Sequence, residues 1–141
     1  EHRLNLLKGA YLAGVVQMNS GSGVAAAISY PLSVYYKVPH GIGGGIFVLG
    51  IARFNESKGF KKYENLFRLI KDPLADDFLS HMENLFSKLD VPNDLNIFGI
   101  STKDKAKICE VMKTQQIAFD QNPFKFSVDN DFPDFIENYL S

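Results

Sequence analysis

Tryptophan is missing from this 141-residue chain, and cysteine occurs once, as Cys109. A lone cysteine excludes an internal disulfide framework and fits a reducing compartment. A dominant charge is missing too: 15 Lys+Arg against 16 Asp+Glu leave a formal net charge of −1. Such a balance gives no general pull toward nucleic acid or an anionic membrane. No apolar run is long enough to span a bilayer, since the longest, residues 41–52, is short and rich in glycine. The first residues, Glu1-His2-Arg3-Leu4, lack the order of charged, apolar and small residues that marks a secretory signal. The chain opens on Glu1 within a helical pattern, so the expected protein is cytoplasmic and the chain a fragment of something longer.

What is present suits one folded domain: 45% apolar and 22% charged residues, enough to build a real core at this length. Leu4, Leu7, Tyr11, Leu12, Val15 and Met18 recur at helical spacing and predict an amphipathic helix over 2–18. The segment 24–36 favours a helix through Ala25-Ala26-Ala27, with Pro31 expected to kink or stop it. Pro39 is placed to open the next helix, through His40 to about residue 53. Further helical stripes run through Phe60, Tyr63, Leu66, Phe67 and Ile70, and through Phe78, Met82, Leu85, Phe86 and Leu89 before Val91-Pro92. Ser101-Thr102-Lys103-Asp104 reads as a capping box ahead of Ile108, Val111 and Met112. Asn122-Pro123 reads as a turn, and Ser127 or the run Asp129-Asn130-Asp131 as the cap of a last short helix. Strand alternation is nowhere sustained. The expected fold is an all-α helical bundle.

Eight of the 11 glycines fall between Gly9 and Gly45, inside segments that otherwise want to be helical. Each costs about 0.5–1 kcal/mol relative to alanine, so close helix packing or close approach to a ligand is expected there, packing being favoured. No nucleophile elbow, zinc-protease motif, paired cysteine or P-loop lysine occurs. His2 and His81 read as surface residues. His40 differs, because it follows Pro39 and starts a glycine-lined helix. Its imidazole suits a divalent metal, a proton relay, or a structural hydrogen bond.

Three blocks together resemble a known family: Leu7-Lys8-Gly9-Ala10-Tyr11-Leu12-Ala13-Gly14, Ser20-Gly21-Ser22-Gly23 through Tyr30-Pro31-Leu32, and Tyr36-Lys37-Val38-Pro39-His40-Gly41. They are similar to the carboxy-terminal half of the iron-containing (group III) alcohol dehydrogenases, within the dehydroquinate synthase-like superfamily. Ala52-Arg53-Phe54-Asn55, Leu89-Asp90-Val91-Pro92 and Asn122-Pro123-Phe124-Lys125 continue the likeness in order. The resemblance implies an NAD(P)-binding Rossmann-like domain upstream, and residues 1–141 as an all-helical metal and substrate domain. It also implies a divalent metal, iron or zinc, held by one aspartate and three histidines. The metal would polarise an alcohol or aldehyde oxygen during hydride transfer.

Carried over position by position, the resemblance makes His40 the last metal ligand. The ligand histidine 14 positions earlier falls on Ala26, whose methyl cannot ligate, and a histidine near the nicotinamide falls on Tyr30. The remaining two ligands would lie before Glu1. Ala26 and Tyr30, four apart, share a helix face that points toward His40 if the family packing holds. Tyr30 is then a candidate catalytic phenol, donating to a substrate oxygen, or else a buried tyrosine satisfied by backbone.

Three readings follow. The leading one is the helical domain of a metal-dependent, NAD(P)-linked alcohol or aldehyde oxidoreductase, inactive as this fragment. A second is a non-catalytic binding or assembly module, which Ala26 favours. A third is a relative acting on a sugar or polyol. The expected partners are the chain's own Rossmann-like domain, a small alcohol, aldehyde or sugar, and a second copy of the chain. No nucleic acid or membrane partner is expected. An open face around Ala26, Tyr30 and the 41–45 glycines would also promote self-association or marginal stability.

Overall fold

A computed structural model describes residues 1–70 and 72–140, and among them only helices, turns and irregular segments occur. The helices are α1 (His2–Ser20), α2 (Gly23–Tyr36), α3 (His40–Ser57), α4 (Tyr63–Ile70), α5 (Phe78–Lys88), α6 (Lys105–Met112), α7 (Gln116–Phe119) and α8 (Phe132–Glu137). This is the expected all-α architecture. No helix among the described residues is long and apolar enough to cross a membrane.

The core is organised by α2 and α3, which fold back on each other across three residues. Lys37 closes α2 in a left-handed conformation (φ 61°), Val38 is buried, and Pro39 caps α3. At Gly43 the two helices pack tightly: a methyl there would lie 3.1 Å from Ser29 Cβ and 3.4 Å from Val38 Cγ1. Ile28, Leu32 and Phe47 are sealed between this pair and the carboxy-terminal segments that bring Ile108, Met112, Phe119, Phe126, Phe132 and Ile136. Aromatic rings tie those segments together, with Phe47–Tyr139 centroids 4.8 Å apart and Phe126–Phe135 5.4 Å apart. Buried Asn55 and half-buried Asn122 exchange amide hydrogen bonds of 2.6 and 3.2 Å, which pins the Asn122-Pro123 turn to α3.

Pro31 neither stops nor ends α2, which runs unbroken to Tyr36. A helix-interior proline costs about 3 kcal/mol through a lost backbone bond and a ring clash. Here the flanking Val24, Ala27, Ile28 and Leu32 are all buried. Burying an aliphatic side chain contributes about 1.5–3 kcal/mol, so together they outweigh the proline. Capping chemistry sets the other boundaries. Asp77 accepts from the Ser80 N–H at 2.7 Å while the Ser80 hydroxyl accepts from the Asp77 N–H at 3.0 Å, starting α5. Ser101 and Asp104 form the expected box. Neither candidate caps α8 with a side chain; Ser127 and Asp131 instead close the turn ahead of it, the Asn130 N–H donating to Ser127 Oγ at 3.1 Å and the Ser127 N–H to Asp131 Oδ2 at 2.7 Å.

Two expectations need correction. The stripe on α1 buries nothing: no residue of that helix is buried, and Leu6, Tyr11 and Met18 are 74%, 72% and 81% exposed. Its apolar residues encircle the helix instead of forming one face, so there is no single side to dock. Close packing accounts for few of the glycines. Gly21 lies against the Gln121 side chain and Gly43 against Ser29, whereas Gly9, Gly14, Gly23, Gly41 and Gly44 have nothing within 4 Å of where a methyl would stand.

Candidate functional site

Ala26 and His40 come together. They line one cleft of about 340 Å³ with Ala13, Val16, Gln17, Ser20, Gly21 and Ser22, so its walls are α1, the turn after it, α2 and the start of α3. The convergence follows from the local folding rules. Four-residue spacing puts 26 and 30 one above the other on α2, and the short link ending in Pro39 turns α3 so that its first residue faces them. The Tyr30 ring lies against the His40 ring, with centroids 4.6 Å apart and planes tilted by 34°. Tyr30 is 48% exposed, so it is not a buried tyrosine serving the backbone.

Beneath the imidazole sits Ser29, which is 0% exposed. Its Oγ is 2.7 Å from His40 Nδ1 and 2.8 Å from the Ala26 carbonyl oxygen. Sequence reasoning missed this residue. Its signal was a polar side chain on the otherwise apolar buried face of α2, three residues after Ala26.

The residues present do not make a metal site. Among the described residues, no three His, Cys, Asp or Glu side chains gather where they could hold an ion. At the cleft the donor set is one imidazole beside a methyl, against the three or four ligands such an ion takes. The other histidines are elsewhere. His2 is exposed at the start of α1. His81, expected at the surface, is one-fifth exposed, and its Nδ1 lies 2.6 Å from Asp72 Oδ2 in the joint between α4 and α5. Cys109 is half-buried, and burial pushes its thiol up, away from a reactive thiolate.

A larger hollow of about 720 Å³ runs along the far part of α3, between Gly45, Gly50 and Arg53, the end of α5, and Tyr139. Arg53 pairs with Glu83 at its rim. It contains none of the residues that converge at His40, and its size reflects an open groove between helices. The smaller cleft is the candidate site because it joins an anchored imidazole to Ala26, with the Tyr30 ring against that imidazole from outside its lining.

The comparisons with known proteins bear on the family of the chain. The family described as Fe-containing alcohol dehydrogenase, C-terminal, matches residues 1–131. Lactaldehyde reductase of Escherichia coli is 31% identical over 62 residues, covering 44% of this chain and 16% of that enzyme. The 1,3-propanediol dehydrogenase of Klebsiella pneumoniae is 23% identical over 131 residues, covering 87% and 34%. The NADPH-dependent butanol dehydrogenase of Clostridium saccharobutylicum is 21% identical over 99 residues, covering 66% and 26%. The matched stretches thus span between about one-sixth and one-third of these relatives' lengths. With nearly the whole chain matched and the all-helical fold in place, the chain belongs to the Fe-containing alcohol dehydrogenase family, as a C-terminal domain.

Proposed function

We propose that this domain is the substrate-side half of an NAD(P)-linked oxidoreductase acting on a small alcohol or aldehyde. The observation that carries the reading is the meeting of His40 and Ala26 at one cleft, with the Tyr30 ring tilted against the imidazole. Residues 1–141 then act with a Rossmann-like domain that brings the nicotinamide. His40 supplies the polar contact to the reacting oxygen, and Tyr30 flanks it as a phenol able to donate to the same oxygen. The three relatives, a lactaldehyde reductase, a butanol dehydrogenase and a propanediol dehydrogenase, share that substrate class by name. The family's iron or zinc would find His40 as its ligand here and no donor at Ala26.

The test is nicotinamide-linked reduction of small aldehydes by the native polypeptide that carries this chain. Turnover is expected, with His40→Ala lowering kcat about a hundredfold, within the range for loss of a group acting on the reacting atoms. Ala26→His should raise bound zinc in equilibrium dialysis by restoring a second imidazole. The second reading, a non-catalytic binding module, is favoured by the methyl at 26. Absence of both turnover and reduced-cofactor binding by fluorescence titration would establish it instead.

A further inference from the structure

Ser29 makes two short contacts, to Ala26 O at 2.8 Å and to His40 Nδ1 at 2.7 Å. Heavy atoms this close need a hydrogen between them, because facing lone pairs at that distance repel. A serine hydroxyl carries one proton and a carbonyl none. Were that proton donated to Nδ1, Oγ would face the Ala26 carbonyl lone pair to lone pair. No water could relieve the clash, since Ser29 is 0% exposed. Both contacts are satisfied only if the hydroxyl donates to Ala26 O and the imidazole donates its Nδ1–H to Oγ.

We infer that Ser29 is a positioning residue: it locks His40 in the Nδ1–H tautomer and turns the Nε2 lone pair toward the cleft. The inference rests on the oxidoreductase reading, in which Nε2 is the atom that meets the reacting oxygen. The hydrogen bond made by one ring nitrogen fixes what the other can do. In the neutral ring a bonded Nδ1–H leaves Nε2 an acceptor only, suited to a substrate hydroxyl proton. The packing supports the lock. Gly43, one turn beyond His40, leaves room for Ser29 Cβ at a separation no larger residue would allow without displacement. The imidazole is thus held from behind by α2 and open in front.

The experiment is long-range proton–nitrogen correlation on the protein labelled with 15N-histidine, at a pH where imidazoles are neutral. His40→Gln identifies the His40 signals by their loss. The expected pattern is a protonated Nδ1 and an unprotonated Nε2; the opposite tautomer, or an averaged pair, overturns the inference. Ser29→Ala, with its helicity checked by circular dichroism, should shift His40 toward the Nε2–H form. A folded Ser29→Ala with an unchanged pattern also overturns it. If that variant does not fold, the unaltered protein decides alone. None of these readouts needs turnover, so an Nδ1–H pattern in a protein without oxidoreductase activity sinks the functional reading and leaves the lock standing. Where turnover exists, Ser29→Ala should lower kcat about tenfold with KM little changed, as for loss of a group orienting an active imidazole. An unchanged kcat alongside a shifted tautomer would overturn the part assigned to Ser29 in the reaction.

Discussion

Helices α1 and α2 are neighbours in sequence and both carry apolar residues at helical spacing, although α1 also holds Arg3 and Lys8 whereas α2 has no charged residue. In α2, Val24, Ala27, Ile28 and Leu32 are buried against α3. In α1 no residue is buried, and even Val15, the best covered, is only partly so. Apolar periodicity therefore reports that a segment is helical without naming what it packs on. In α2 the pattern agrees with its surroundings: Ala27 is fully buried, and the larger Ile28 and Leu32 belong to the core. In α1 the local preference is satisfied and the tertiary one is not. Most helical stability in proteins comes from tertiary packing of one face, which α1 lacks, so α1 is the natural place for local opening.

The sharpest way to break this comparison is to truncate a large apolar side chain in each region. Phe47 is 0% exposed and rests on Tyr139 and Phe135. Phe47→Ala is expected to lower unfolding stability by about 3–5 kcal/mol, through lost transfer energy and a residual cavity. Met18→Ala on α1 should stay within about 0.5 kcal/mol, as for an exposed site. Urea unfolding of both variants measures the contrast. A loss above about 2 kcal/mol for Met18→Ala would show that α1 is packed in solution.

Glycine offers a finer version of the same contrast. At Gly50 a methyl would meet the Tyr139 hydroxyl and stand 2.9 Å from Phe135 Cε2. Gly50→Ala should therefore cost about 1–3 kcal/mol by overpacking. At Gly14 nothing lies within 4 Å. Gly14→Ala should instead gain about 0.5–1 kcal/mol, the ordinary helix-interior preference. Opposite signs in thermal unfolding are expected. Destabilisation by Gly14→Ala would mean that something covers that face.

The same distinction between local and tertiary information decides how much was legible in the sequence. Helix positions, the Ser101–Asp104 box and the shared face of Ala26 and Tyr30 rest on short spacings, which survive into the fold, whereas their grouping with His40 is implied only by the family resemblance. Ser29 did not stand out, because a serine in an alanine-rich helix reads as small filler until its burial is known. Pro31 signalled a break that the packing of Ile28 and Leu32 overrides. Exposed α1 and half-buried His81 depend on which elements meet, information that no window of twenty residues contains.

The joint between α4 and α5 stands between these extremes, and its Asp72–His81 pair gives the smallest expected effect. The Asp72 carboxyl is held below the usual carboxylate range, first by the hydrogen bond with His81 and then by the Leu74 N–H. A carboxyl whose folded pKa is depressed stabilises the fold above its unfolded value, about 3.9, and the benefit fades as pH falls through the folded pKa. Near neutral pH the bonded carboxylate is fully formed, so Asp72→Asn should lower the unfolding midpoint slightly there. Below about pH 4 the difference between the two proteins should shrink toward zero, as the native carboxyl itself becomes protonated. Midpoints measured from about pH 7 to about pH 3 test this directly. Parallel curves across that range would mean that the pair contributes no stability and that the joint is held by its apolar contacts, including the stacked Tyr63 and Phe78 rings at 5.4 Å.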